Sequence, residues 1–433
     1  MKKLLILFLL PGLILSAQTK KEDVKSFLLK NGMKVLVLED HSIPNANMYL
    51  FFKVGSRNEN LGITGLSHFF EHMMFNGAKK YGPKMFDKYM EAAGGSNNAS
   101  TSQDLTIYTD WFPGAALETI FDLEADRIAN LSFDEKMIES ERGVVHSEYT
   151  TGIENNPAEL LDMQVLSAAF FAHPYKWSVI GYESDILAWK KEDLINYFKT
   201  YYAPNNCLVV IVGDVNLENV KTLAVKYFEP IPGNVPPPKI RTVEPPQNGE
   251  KRIIVYKDVS TPNLMIAYHV PEASNPDYYA LDILGSVLTS GNSSRLRKSL
   301  VFEKQLAINV SGGMDATLDP YLFSFNAVAA RGVASESIEK AIYDELDKIK
   351  NNGVDEQELQ KVKNQKLMQF YRGMETINGK ASLLGRYSLF FGDYTHLFDA
   401  PDFYAKVTSN DLKRVVATYF VPENRTVGVL IKK

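Results

Sequence analysis

His68-Phe69-Phe70-Glu71-His72 sets two imidazoles four residues apart with a carboxylate beside the second. Side chains of a helix meet at spacings of three and four, so a helical segment brings His68 and His72 onto one face, with Glu71 just off that line. Such a face can hold one Zn²⁺ between the imidazoles while Glu71 handles a water. Leu66, Phe69, Phe70, Met73 and Met74 give the segment a broad apolar surface to bury, with Gly62 and Gly65 at its entry and Gly77 at its exit. The chain has seven histidines in 433 residues. A chance pair on a buried helix is the competing reading, and a third ligand decides between the two.

Catalytic zinc usually takes three protein ligands and leaves one position to water. The stretch from Phe133 to Tyr149 offers Glu141 and Glu148, seven apart and so about two helical turns along one face, with Val144 and Val145 able to turn toward a core. Taken singly, either glutamate reads as an ordinary solvated residue.

The motifs together resemble a known family. H-x-x-E-H is the inverzincin signature, carried by the pitrilysin/insulinase family of zinc peptidases, in which the third ligand is a glutamate inside a run resembling ER-x-VV-x-x-E. Glu141-Arg142-Gly143-Val144-Val145-His146-Ser147-Glu148 is similar to that run, and its position fits, since 148 − 72 = 76. The chain most resembles the processing-peptidase-like bacterial subunits of this length. The resemblance implies that His68, His72 and Glu148 hold one Zn²⁺. It further implies that Glu71 is the general base acting on a zinc-bound water and that Glu141 orients a ligand from behind. The implied activity is a zinc metalloendopeptidase that needs no nucleophilic side chain.

Between the ligand segments, Gly94 to Tyr108 reads as a glycine- and asparagine-rich loop followed by a strand in which Leu105 and Ile107 alternate with Thr106 and Tyr108. On composition it is a hairpin arm. It also resembles the family's NA-x-T segment, an edge strand beside the zinc to which the substrate backbone adds as another strand. That likeness makes Asn98 and Ala99 substrate-binding residues acting through their main chain.

Two halves repeat at an offset of 218. Asp193-Leu194 precedes Tyr201-Tyr202-Ala203-Pro204-Asn205-Asn206 and an apolar run from Leu208 to Val212; Asp411-Leu412 precedes Tyr419-Phe420-Val421-Pro422-Glu423-Asn424 and the run from Val427 to Ile431. Pro44-Asn45 and Pro262-Asn263 keep the same offset. Two copies argue for an ancestral duplication rather than a solenoid. Adding 218 to His68 and His72 lands on Ser286 and Ser290, so the second copy has no zinc site. Strands over 34–38, 46–54, 208–212, 253–256 and 322–329 alternate with helices over 84–93, 115–131, 335–351 and 355–371, which makes the fold class α+β. The expected division is a leader over 1–17, a zinc-bearing domain over 18–232, a proline-rich linker over 233–250, and a homologous domain without metal over 251–433. The family likeness implies mainly antiparallel sheets packed with helices, two such pairs facing each other across a chamber.

One departure bears on partners. Complete enzymes of the family carry a run resembling LR-x-x-x-QLGY in the half without zinc, whose arginine and tyrosine reach the substrate carbonyl. Here the run is Leu300-Val301-Phe302-Glu303-Lys304-Gln305-Leu306-Ala307-Ile308, with Val301 and Ile308 in the two key positions. Neither side chain donates a hydrogen bond. A homologous second subunit, itself lacking zinc, is therefore expected to supply Arg and Tyr. The alternatives are a self-sufficient homodimer using, for example, Arg386 and Tyr387, and a noncatalytic assembly subunit of the same fold. Adjacent residues on a helix diverge by about 100°, which fits the Arg386 and Tyr387 option poorly.

Met1-Lys2-Lys3, the apolar run from Leu4 to Leu15, and Ser16-Ala17-Gln18 read as a secretory signal cleaved after Ala17, with an uncleaved anchor as the alternative. The expected destination is a bacterial periplasm. Cys207 is the single cysteine, which excludes an intrachain disulfide; 45% hydrophobic residues are ample for two cores. Removing 1–17 takes two lysines and no acids, leaving 45 − 52 = −7. That charge gives no case for nucleic acid. The run Ser293-Ser294-Arg295-Leu296-Arg297-Lys298 reads as a solvated helix start. His173-Pro174-Tyr175-Lys176-Trp177 is an aromatic loop, either near the chamber or packed for structure.

Overall fold

The computed structural model describes residues 19–433, so the leader expected over 1–17 lies outside the described residues. Eleven strands form among them: β1 Lys25–Leu28, β2 Lys34–Glu39, β3 Asn45–Phe52, β4 Ser96–Thr101, β5 Thr106–Pro113, β6 Cys207–Gly213, β7 Lys251–Tyr256, β8 Asn263–Val270, β9 Ala307–Met314, β10 Tyr321–Ala329 and β11 Arg425–Ile431. They build a six-stranded sheet in the order β1-β2-β6-β3-β5-β4 and a five-stranded sheet in the order β7-β11-β8-β10-β9. Each sheet has one parallel pair, β2 with β6 and β7 with β11, and is otherwise antiparallel. The fold class is α+β.

The duplication is visible strand by strand. Adding 218 to β3 gives 263–270 and to β6 gives 425–431, the bounds of β8 and β11; the Lys191–Tyr201 helix likewise maps onto Ser409–Tyr419. Two cores result, one under each sheet.

β6 explains why the strands there read as unbroken apolar runs. Cys207, Val209 and Ile211 face the core of their own half, while Leu208, Val210 and Val212 face a second cluster with Ala381, Leu384 and Phe390 of the other half. A strand buried on both faces has no polar alternation to show. The helix covering the second face, Ile377–Phe390, belongs to the half without the histidine motif, and the Pro157–Ala169 helix makes the reciprocal contact with the other sheet. Their positions correspond through the same offset to within three residues, since 157–169 plus 218 gives 375–387. Each half therefore lends one equivalent helix to its neighbour. Glycine makes both approaches possible. A Cβ on Gly385 would lie 2.1 Å from the Phe51 ring, and one on Gly428 would lie 2.4 Å from Val165.

Several local expectations change. Residues 96–101 form an edge strand, as the family likeness implied, and not the loop that composition alone suggested, because β5 offers a free edge to pair with. Val145 is buried but Val144 is exposed. Arg295 is not a solvated residue: it lies between Glu358 and Glu345, at 2.6 and 3.3 Å. His173, Tyr175 and Trp177 are buried. The Tyr175 hydroxyl donates to Asp104 at 2.7 Å and His173 lies 3.2 Å from Asp319, so this loop joins the two halves. Among the described residues, no helix is long and apolar enough to cross a membrane.

Candidate active site

The histidine motif lies on the Leu66–Met73 helix, which ends before the expected Gly77. Its entry needs Gly65, whose φ of 88° favours glycine. Glu59 is fully enclosed there and accepts from the Gly65 N–H at 2.7 Å and the Ser67 N–H at 2.8 Å. Its two oxygens satisfy two orphan donors of the first turn. Leu66, Phe69, Phe70 and Met73 are buried in the first core, which leaves His68, Glu71 and His72 on the face turned to a cleft.

The Glu135–Tyr149 helix crosses this face, started by Asp134, whose carboxylate accepts from Lys136 and Met137. Arg142 ties the helix to the neighbouring segment by donating to the carbonyls of Ile186 and Trp189. Glu141 and Glu148 then both reach the histidine motif. Glu148 Oε2 lies 3.6 Å from His68 Nε2 and 3.4 Å from His72 Nε2. Among the described residues, these three side chains form the one group able to hold a metal, with a donor atom from each within 4.8 Å of the others. A tetrahedral zinc with bonds of about 2.0–2.2 Å needs donors roughly 3.3–3.6 Å apart. Both separations made by Glu148, 3.6 and 3.4 Å, fall at that spacing, and two imidazoles with one carboxylate are a donor set that zinc takes.

The flanking groups tune the donors. His72 Nδ1 lies 2.8 Å from Glu141 Oε1, and Asn76 Nδ2 donates to Glu141 Oε2 at 2.7 Å. The bond to His72 draws the Glu141 carboxyl below its usual range. Burial pulls the His72 imidazole down, but the Glu141 bond with Glu148 and Glu71 nearby lifts it above its usual value overall. His68 has no such partner on Nδ1. Burial, with His72 beside it, pushes it down to about 4. A neutral imidazole is the form that binds metal.

Glu71 is also partly buried, which raises its carboxyl, while the Thr101 bond and His72 oppose the rise. Thr101 Oγ1 donates to Glu71 Oε2 at 2.5 Å. His68, Glu71, Ala99, Thr101 and Glu148 line one cleft of about 560 Å³. Asn98 and Ala99 lie on β4, the outer strand of its sheet, with Ala99 turned inward and Asn98 exposed. Asp162 closes the cleft on the side of the second half. Burial, helped by Glu159 and Asp315, pushes its carboxyl up to about 6.

The sequence-derived residues His68, Glu71, His72, Glu141, Glu148 and Ala99 thus come together. Arg386 and Tyr387 do not join them, and Tyr387 is stacked on Phe391 at 4.6 Å. Two contributors carried no assigned role in the sequence reading. Asn76 follows His72 at the helical spacing of four, a usable signal. Thr101 is the last residue of the NA-x-T segment, and only the strand's packing against the helix reveals its contact. In the second half, Ser286 lies on the Tyr278–Thr289 helix, Ser290 caps it, and Lys366 replaces Glu148, since 148 + 218 = 366. The Lys366 ammonium pairs with Asp282 at 2.7 Å, a structural contact in place of a donor set.

Residues 34–182 match the family described as Insulinase (Peptidase family M16), and residues 188–366 match Peptidase M16 inactive domain. The chain is 32% identical over 436 residues to zinc protease PqqE of Helicobacter pylori, spanning 98% of this chain and 96% of that one. It is 23% identical over 375 residues to the uncharacterized zinc protease YmxG of Bacillus subtilis, spanning 86% and 90%. The crystal structure of a protease from Helicobacter pylori superposes with a TM-score of 0.91 at 32% identity, covering 94% of this chain and 99% of that one. The first half of the periplasmic protease PqqL from Escherichia coli gives 0.77 at 18% identity, covering 96% and 94%. That last likeness is one of fold.

Proposed function

The chain belongs to the insulinase family, peptidase family M16, and from that premise we propose that it is the zinc-bearing subunit of an endopeptidase. The observation that carries the reading is the spacing of two imidazole nitrogens and one carboxylate oxygen at 3.4 and 3.6 Å, with Glu71 on the same face of the cleft. A zinc ion held by His68, His72 and Glu148 would lower the pKa of its water to about 7 and polarise a peptide carbonyl.

Glu71 takes the proton from the attacking water and returns it to the leaving amine. His72 is kept in the tautomer that offers Nε2 by its Nδ1 contact with Glu141. Asn98 and Ala99 hold an extended peptide by main-chain hydrogen bonds at the open edge of β4, a mode that tolerates varied sequences. Val301 and Ile308 cannot donate to the substrate carbonyl, so a homologous subunit completes the site with Arg and Tyr. The division into 18–232, 233–250 and 251–433, and export by the leader to a bacterial periplasm, complete the proposal.

The test is metal content and peptide cleavage of the purified chain, with and without a co-purifying homologue. One zinc per chain and hydrolysis slowed about 10²-fold or more by Glu71→Gln are expected. A chain that takes up no zinc overturns the reading.

A further inference from the structure

Glu71 is met from outside its own helix by Thr101, whose hydroxyl donates to Oε2 at 2.5 Å. Resting on the peptidase reading above, we propose that Thr101 is a positioning residue for Glu71. Its hydroxyl selects the carboxylate orientation that faces the attacking water, and it ties the base to the strand on which the substrate is laid.

A glutamate side chain has three rotatable bonds, and an ordered geometry must overcome that freedom. One donor to one oxygen removes most of it and leaves the other oxygen for the water. The donor must itself be rigid, and Thr101 is. It ends β4, where Asn97, Ala99 and Thr101 turn inward and Asn98 and Ser100 turn out. It pairs with Thr106 across the hairpin. The turn that follows is fixed on several sides. Ser102 N–H donates to the Leu105 carbonyl at 2.8 Å, and the Ser102 and Gln103 carbonyls accept from Ser56 and Arg57 at 3.3 and 3.0 Å. Gly55 allows that approach, because a Cβ there would lie 2.4 Å from both carbonyl oxygens. Asp104 is then held by Arg57 at 3.0 Å, by the Tyr175 hydroxyl at 2.7 Å and by the Leu318 N–H of the other half at 3.1 Å.

The edge strand therefore has two tasks in one piece of backbone. Its main chain at Asn98 and Ala99 aligns the peptide, and its terminal side chain aligns the base. A shift of the strand moves both together, which keeps scissile carbonyl and base in register.

The experiment compares Thr101→Val, which keeps the shape and loses the hydroxyl, with Thr101→Ser, which keeps the hydroxyl. Each is purified from its own cells as the full chain with whatever subunit accompanies it. Zinc per chain, KM, kcat and a crystal structure are measured. Thr101→Val should keep one zinc per chain and a KM within about twofold, while kcat falls about tenfold or more. Its Glu71 carboxylate should leave the position seen here, and Thr101→Ser should stay within about threefold of the unsubstituted chain. Wild-type kcat in Thr101→Val, an unmoved Glu71, loss of zinc, or equal impairment of both variants overturns the proposal. If the unsubstituted chain itself holds no zinc and cleaves nothing, the peptidase reading falls first, and that result is distinct from the others.

Discussion

Glu141 Oε1 and His72 Nδ1 are 2.8 Å apart, on the side of the ring opposite the Nε2 that faces Glu148. The contact decides which nitrogen carries the hydrogen. A donor at Nδ1 leaves a lone pair at Nε2, and the anionic acceptor makes that lone pair more basic.

Glu141→Gln should therefore weaken zinc binding about 10- to 100-fold without emptying the site at high zinc. The amide keeps one acceptor oxygen but turns an N–H₂ toward Asn76, which now donates to Oε2 at 2.7 Å. Competition with a chelating dye measures the change. Unaltered affinity would show that the pair only packs.

Glu71→Gln separates binding from turnover. The amide oxygen still accepts from Thr101, so the cleft keeps its shape, but no group remains to take the proton. Zinc content should be unchanged and kcat should fall by about 10²-fold or more. Residual cleavage near the unsubstituted rate in a clean preparation removes Glu71 from its role.

The exchanged helices give a prediction about assembly. Gly385→Ala forces a methyl to 2.1 Å from the Phe51 ring, between the two halves. Overpacking of this kind costs about 1–3 kcal/mol. The chain should unfold at lower temperature, and Phe51→Leu in the same chain should recover part of the loss. A neutral result for Gly385→Ala means that the helix can slide.

Asp162 links pH to stability. Its carboxyl is raised to about 6 in the folded protein, against about 3.9 in an unfolded chain. Between those values the folded state holds more protons, so stability falls as pH rises through the window. Asp162→Asn cannot ionise and should be the more stable form at pH 8, by at most about 3 kcal/mol, with the advantage gone near pH 4. Thermal unfolding with chelator present measures both. An equal gain at the two pH values would falsify the charge argument.

The motif and the offset of 218 made much of this legible in advance, because both are local or strictly periodic. His68, His72 and Glu148 needed only helical spacing and a family pattern to be named. The contact between Thr101 and Glu71 depends on how a strand lies over a helix thirty positions earlier, since 101 − 71 = 30, and no spacing rule encodes that. The strand over 96–101 was legible only through the family pattern, because its Ser, Asn and Ala composition is poor in strand formers. Its structure comes from pairing with β5. The exchange of helices between halves was hidden for a similar reason: the apolar runs at β3 and β6 announce burial on two faces but not which helix supplies the second.

Ile308 is 62% exposed on β9 and Val301 is half-buried beside it, so the positions that should present Arg and Tyr present hydrocarbon. Losing a donor to the developing oxyanion costs about 10²- to 10³-fold in kcat in other hydrolases. The isolated chain should then hold zinc yet cleave peptides at least about 10²-fold more slowly than the same chain with a homologous subunit bound. Kinetics before and after the two subunits are separated by gel filtration measure this directly. If this chain carries the zinc, its content must not change on separation while kcat does. Full activity in the separated chain would mean that it completes its own site, alone or as a homodimer, with donors other than those the family pattern leads one to expect.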